Sequence, residues 1–377
     1  MAATTVDTDT PPFPEWPTIQ VAPVNGIELA YETFGDPADD AILLVMGLGT
    51  QMLAWPDALC TALADAGHFV IRYDNRDVGL STKIDAPVPS IPDLLLQRKV
   101  AYRLDDMATD AFALLDHLGV QRAHLAGTSM GGFISQTMAL RSPERVRTLS
   151  LSMTSTGSRK VGRPSPGVIK MMATAKPPAD RAAAMEDAVA VNTILGSPRH
   201  QDADQIRELS GIAWDRSHDP DGRLRQLGAI LAQPNRTERL RTLRIPTVVV
   251  HGLNDPLVSV SGGIARRTAA SRKSASGTSH MFYRKQACAS GAHEVQSLQR
   301  NARELRKRNR KQHRSLRNTT QDGVKNFKNQ PTTHFGHFRQ VIANSRSHIL
   351  VQIVAVLVQH HRVSISIGRR CASVVVQ

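Results

Sequence analysis

The chain has 377 residues, 41% of them hydrophobic, with 47 Lys and Arg against 33 Asp and Glu. Its three cysteines, Cys60, Cys288 and Cys371, show no paired or metal-type spacing, so neither a disulfide framework nor a metal site is indicated. No apolar run reaches the ~20 residues of a membrane span, and MAATTVDTDTPPFPEWP at the N-terminus lacks the basic start and apolar centre of a secretory signal. A soluble, cytoplasmic protein without a membrane partner is expected. The positive charge is unevenly spread. Residues 1–263 carry 25 Lys and Arg against 30 Asp and Glu, whereas residues 264–377 carry 22 against 3. The chain is a mildly acidic body with a strongly basic tail, and the two call for separate readings.

Residues 1–17 are expected to be disordered. IQVAPVNGIELAYETFG then alternates apolar and polar residues about Asn25-Gly26, which predicts a hairpin. AILLVMG (Ala41–Gly47) and HFVIRYDN (His68–Asn75) are compact apolar runs suited to buried parallel strands. Between them, QMLAWPDALCTALADAG suits a helix ending at Gly67. DDMATDAFALLDHLGV has helical spacing and a stop at Gly119. Next come a strand AHLAG, a helix GGFISQTMALRSPERV and a strand VRTLSLSM. After a Met-, Ala- and Arg-rich stretch with helical pieces, IPTVVVHG reads as another strand. This alternation predicts a mostly parallel sheet with helices on both faces. The core occupies residues 18–153 and 242–265. Residues 154–241 are an inserted helical cap.

Three motifs carry chemistry. Gly127-Thr128-Ser129-Met130-Gly131 fits G-x-S-x-G, with a strand before it and a helix after it. In that context Ser129 is a nucleophile on a sharp turn, and the Met130 amide is one donor to a developing oxyanion. The alternative is a glycine-rich packing turn. LLVMGLGTQMLAW ends a strand in a glycine-rich turn. Met52 stands where a dinucleotide fingerprint needs a third glycine, and no P-loop lysine follows. The Leu48 amide is then the second oxyanion donor; a plain tight turn is the alternative. In VVVHGLNDPLV, Asp255 follows a strand. Coming after Ser129, it suits the carboxylate that orients a catalytic histidine, although Asn-Asp-Pro also makes an ordinary turn.

VMGLGTQMLAWP, RYDNRDVGLST, LAGTSMGGFISQTMAL, SPERVRTLSLSM and PTVVVHGLNDPLV together resemble the α/β-hydrolase superfamily. They are most similar to the bacterial branch that includes aclacinomycin methyl esterase-like hydrolases. The resemblance spans about residues 19–263. It implies an α/β-hydrolase fold with an eight-stranded core and a cap, a Ser-acid-His triad, and carboxylic ester hydrolysis without a cofactor. Where the family usually has His-Gly before the oxyanion loop, this chain has Met46-Gly47.

Beyond Gly263 the resemblance stops. The stretch before His280 holds no Val, Ile or Leu, so the last apolar core strand is expected to be missing. His280, in SGTSHMF, is the candidate base; His293 has no turn context, and His124 and His251 abut strand ends as packing residues. Residues 266–377 are an atypical basic tail, read either as the product of a reading-frame shift near Ala265 or as a genuine extension. RNARELRKRNRKQHRSLRN could meet phosphate backbones but contains no recognised nucleic-acid module. The expected function is a serine hydrolase with catalytic Ser129, Asp255 and His280, cleaving an ester of a small apolar molecule through an acyl-enzyme. Met171, Met172 and Trp214 of the cap either shape its pocket or merely pack. The alternative is an inactive or truncated hydrolase body whose tail is disordered or binds nucleic acid.

Overall fold

In the computed structural model, residues 19–196, 202–252, 254–265, 279–282, 364–368 and 371–375 are described. The chain opens with the predicted hairpin. Strands β1 (Gln20–Val24) and β2 (Ile27–Phe34) pair antiparallel around Asn25 and Gly26. Both turn residues take positive φ, 49° and 76°, as a two-residue turn matching strand twist requires. β3 (Asp40–Val45) and β4 (His68–Tyr73) follow, joined by α1 (Asp57–Ala64). Pro56 caps α1 where the apolar pattern alone suggests an earlier start; residues Met52–Ala54 form a separate 3-10 turn. Next come the short helix α2 (Ile91–Leu96), the long helix α3 (Leu104–His117) and strand β5 (Ala123–Thr128). α4 (Met130–Arg141) stops short of Pro143, and β6 (Val146–Ser152) completes the first part of the core.

Five helices are inserted before the sheet resumes: α5 (Pro166–Thr174), α6 (Arg181–Leu195), α7 (Ala203–Arg216), α8 (Pro220–Leu231) and α9 (Thr237–Leu240). The Asp180, Asp202 and Asp219 carboxylates accept backbone amides at the starts of α6, α7 and α8, satisfying donors that a helix leaves open. β7 (Thr247–Val250) returns to the sheet, and β8 (Ser279–Phe282) lies beside it. The order is β1-β2-β4-β3-β5-β6-β7-β8, with every pairing from β4 to β8 parallel. A separate antiparallel ribbon joins β9 (Ser364–Gly368) to β10 (Cys371–Val375).

The expectation that the last core strand is missing is therefore corrected. Ser279–Phe282 occupies that place through backbone pairing to β7, which needs no run of Val, Ile or Leu. Of the tail expected over residues 266–377, His293 and the basic run at 300–318 lie outside the described residues, whereas 364–368 and 371–375 form the β9–β10 ribbon.

The central strands are buried on both faces, as parallel strands under helices must be. In β3, Leu43 and Val45 face a core shared with Met107, Ala111 and Leu115 of α3 and Ile134 of α4. Ile42 and Leu44 face the opposite way, onto Leu59, Cys60 and Leu63 of α1. Each fully buried apolar side chain of this size contributes about 1.5–3 kcal/mol.

Charged residues at the end of β4 and just beyond it are buried nonetheless. Arg72 pairs with Glu32, and Arg76 forms a two-bonded pair with Asp110 at 2.6 Å for both bonds. Asp74 accepts Met52 N–H at 2.8 Å, Leu80 N–H at 3.0 Å and Arg216 of α7 at 2.6 Å. Asp77 accepts Arg225 of α8 at 2.9 and 3.0 Å and the Tyr102 hydroxyl at 2.7 Å. Burial and the adjoining Asp77 charge push the Tyr102 phenol upward, so it remains a donor. Two carboxylates of one short segment thus hold the inserted helices on the sheet.

Arg225→Met leaves Asp77 charged and without its cation, and is expected to cost about 3–5 kcal/mol in urea unfolding. Adding Asp77→Asn should recover part of that loss. The charge then disappears, while Asn tolerates the positive φ of 67° at this position.

Candidate active site

Ser129 sits between β5 and α4 with φ 55° and ψ −116°, a conformation that L-residues other than glycine rarely hold. Its surroundings fix it there. Ser129 N–H donates to the Ser152 carbonyl at 2.9 Å, and its own carbonyl accepts Gly132 N–H at 3.0 Å and the Thr154 hydroxyl at 2.9 Å. The neighbouring glycines are needed for close approach. A Cβ on Gly131 would overlap the Val45 and Met46 carbonyl oxygens, and one on Gly127 would overlap the Gly131 carbonyl. Met130 opens α4, so its N–H has no helical acceptor and stands at the positive end of the helix dipole.

The turn after β3 closes over the serine. A Cβ built on Gly47 would lie 3.2 Å from Ser129 Cβ and 3.7 Å from Ser129 Oγ. Gly47 O accepts Thr50 N–H at 3.3 Å, and Gly49 has φ 62°, as the third residue of a type II turn requires. The Asn75 side chain holds this end of β3 by donating to Met46 O at 3.1 Å. Leu48, the other expected oxyanion donor, lies in this turn. The structure therefore brings Leu48, Ser129 and Met130 to one place at the carboxyl ends of β3 and β5.

Asp255 lies five residues beyond β7, with its side chain 10% exposed. One carboxylate oxygen accepts Leu257 and Val258 N–H, both at 2.9 Å, and the other is 3.4 Å from Nε2 of buried His251. That same Nε2 lies 2.6 Å from Val258 O, so it donates there. His251 thus braces the acid loop. His280 is placed by the register of β8: its backbone pairs with Val248, while Val250 pairs with Ser152 and Ser152 with Thr128. It lies within the strand, two positions short of the level of Thr128. The structure places His280 by its backbone alone.

His124 belongs to the other end of β5. Its Nδ1 is 2.9 Å from the Thr148 hydroxyl, and burial, with His68 and Arg147 nearby, pushes its pKa down to about 4. It is a neutral packing residue. Met171, Met172 and Trp214 are all half-buried on the inserted helices, with Trp214 stacked on His218 at 3.9 Å between ring centres. A surface cleft of about 840 Å³, bordered by Arg122, Pro143, Glu144, Arg239 and Pro246, opens at the amino ends of β5–β7. It lies away from the Ser129 turn, whereas ligands of open α/β sheets bind at carboxyl ends. Among the described residues no group of three or more His, Cys, Asp or Glu could hold a metal, and no helix is long and apolar enough to cross a membrane.

Sequence reading did not find Gln51, Arg216, Arg225 or Gln226, which tie the inserted helices to the site. Arg216, Arg225 and Gln226 are ordinary letters in polar helical stretches, where nothing in their spacing marks them as buried, and Gln51 is an ordinary loop residue.

A family model described as the alpha/beta hydrolase fold matches residues 40–283. The chain belongs to this family. Within it, the alpha/beta hydrolase chain is 42% identical over 127 residues to rhodomycin D methylesterase DauP of Streptomyces sp. (strain C5), covering 34% of this chain and 39% of that protein. It therefore spans about two fifths of the length of the first relatives it matches. It is 27% identical over 241 residues to 3-oxoadipate enol-lactonase 2 of Acinetobacter baylyi, covering 63% of this chain and 79% of the relative. The crystal structure of the enol-lactonase from Burkholderia xenovorans LB400 shares the fold, with a TM-score of 0.53 at 21% identity over 76% of this chain and 98% of that one.

The backbone of Ser129 gives a direct stability test. Glycine is normally less stable than alanine, but at this φ the order is expected to reverse. Ser129→Gly should exceed Ser129→Ala by about 1 kcal/mol in denaturant midpoint analysis. An equal or lower value for the glycine variant removes the claim of strain.

Proposed function

We propose that this chain is a serine carboxylic ester hydrolase that turns over a small apolar ester through an acyl-enzyme. The observation that carries the reading is the strained backbone of Ser129 at the head of β5, with Gly47 against its side chain and the α4 amides beneath it. Methylesterase and enol-lactonase, the names of two relatives, both refer to carboxylic ester chemistry, which supports the same reading.

In this mechanism His280 takes the proton of the Ser129 hydroxyl, and Asp255 orients and balances the imidazolium. The Ser129 oxygen attacks the ester carbonyl carbon, and the carbonyl electrons move to oxygen, where the Leu48 and Met130 amides hold them. Collapse of the tetrahedral adduct expels the alcohol, which receives the proton from histidine. Water then attacks the acyl-serine by the same route, releasing the acid and restoring Ser129. Met171, Met172 and Trp214 would offer apolar contacts to the substrate.

The register of β8 favours a second reading. If the His280 backbone, level with Val248, leaves the imidazole short of Ser129, the nucleophile and acid stand in a hydrolase body without a working base. Such a body keeps only the residual rate that an oxyanion hole supports. The nucleic-acid contacts considered for the basic tail lie outside the described residues.

Hydrolysis of p-nitrophenyl acetate and butyrate separates the two. On the first reading, Ser129→Ala and His280→Ala each lower kcat by at least about 10³-fold, because triad members act as a unit. On the second, His280→Ala equals wild type and both stand only slightly above the Ser129→Ala background. Wild-type turnover that survives Ser129→Ala would end both.

A further inference from the structure

The turn carrying Leu48 is held by the inserted helices as well as by the sheet. Gly49 N–H donates to Gln226 Oε1 of α8 at 2.7 Å, across 177 residues of chain. The other end of the same side chain, Nε2, donates to the Arg76 carbonyl at 2.8 Å. Gln226 is fully buried, and these opposite partners leave only one orientation for its amide. The aliphatic stem of Arg223 lies across Gly49, where an added Cβ would come within 3.1 Å of it. Just beyond the turn, Gln51 donates to the Ala213 and Ser217 carbonyls and accepts from Arg216. The turn is thus gripped at Gly49 by α8 and at Gln51 by the end of α7.

We propose that Gln226 is a positioning residue for the oxyanion turn, so that the inserted helices contribute to catalysis through the geometry of the Leu48 amide. The inference rests on the assignment of Ser129 and Leu48 above. Its physical basis is the narrow tolerance of an oxyanion site, whose donors must lie about 2.7–3.1 Å from the developing charge. Glycine has no side chain to limit the peptide next to Leu48, and within the turn only the long 3.3 Å bond from Thr50 N–H to Gly47 O holds it. The Gln226 carbonyl supplies that restraint. Its other bond, to Arg76 O, ties the restraint to the segment that anchors α7 and α8 through Asp74 and Asp77. Gln226 does not touch the ester; it keeps a donor that does at fixed distance from Ser129.

Two variants of nearly equal volume test this. Gln226→Met removes both hydrogen bonds, whereas Gln226→Glu keeps an acceptor for Gly49. With p-nitrophenyl butyrate, Gln226→Met is expected to lower kcat by about 10- to 100-fold with KM changed less than about 3-fold, the loss that a misplacement on the order of 1 Å produces. Affinity for an alkylboronic acid, which forms a tetrahedral adduct on the serine, should fall with kcat. Gln226→Glu should recover most of both. Hydrogen exchange over residues 46–51 should rise in Gln226→Met and stay near wild type in Gln226→Glu. An unchanged kcat in Gln226→Met, beside a wild type that depends on Ser129, overturns the positioning role and leaves the ester hydrolase reading intact. If the wild type shows no Ser129-dependent turnover, the catalytic reading fails and takes the positioning role with it. Exchange then reports separately whether Gln226 clamps the turn.

Discussion

The head of this sheet depends on one close approach. Gly131, in the first turn of α4, lies against the carbonyl oxygens of Val45 and Met46, with no room for a Cβ between them. That contact lets a helix start directly above a parallel strand. It forces the sharp reversal that leaves Ser129 at positive φ, and it brings the turn after β3 over the serine side chain. Gly127 makes the same kind of approach to the Gly131 carbonyl. The strain at Ser129 persists because the Ser152, Thr154 and Gly132 bonds to its backbone over-determine the turn.

A second layer keeps that geometry from loosening. Asp74 and Asp77 are buried carboxylates, and such groups are tolerated only when paired and fully hydrogen-bonded. Their cations come from α7 and α8, so the inserted helices satisfy charges that the core buries. The pairs specify where the two helices sit, and with them where Gln226 meets Gly49.

The strand and helix order was largely legible in the sequence because local chemistry and tertiary environment agree there. Asn25-Gly26 makes its hairpin whatever surrounds it, and the apolar runs of β3 and β4 suit burial on both faces. The sharp turn at Ser129 was legible for a related reason, since small residues at fixed spacing are the signature of its close contacts. Two things were hidden. Gln226 and Arg225 acquire meaning only through partners about 150 to 180 residues away. β8 was hidden because an edge strand can be specified by backbone pairing alone, and Ser279–Phe282 lacks the β-branched run that marks its neighbours.

The same strand shows why family membership and catalytic competence are separate matters. A residue advances about 3.3 Å along a parallel strand, and side chains alternate between faces. With its backbone level with Val248, His280 stands two residues, about 7 Å, short of Val250 and so of the level of Thr128. Asp255 does not depend on this register, because its carboxylate is fixed by Leu257, Val258 and His251 within its own loop. The Asp255 carboxylate is therefore preorganised whatever pairs with β7. The Ser129 turn is set by contacts inside the core, whereas the position of the His280 backbone is set by the pairing of a four-residue edge strand.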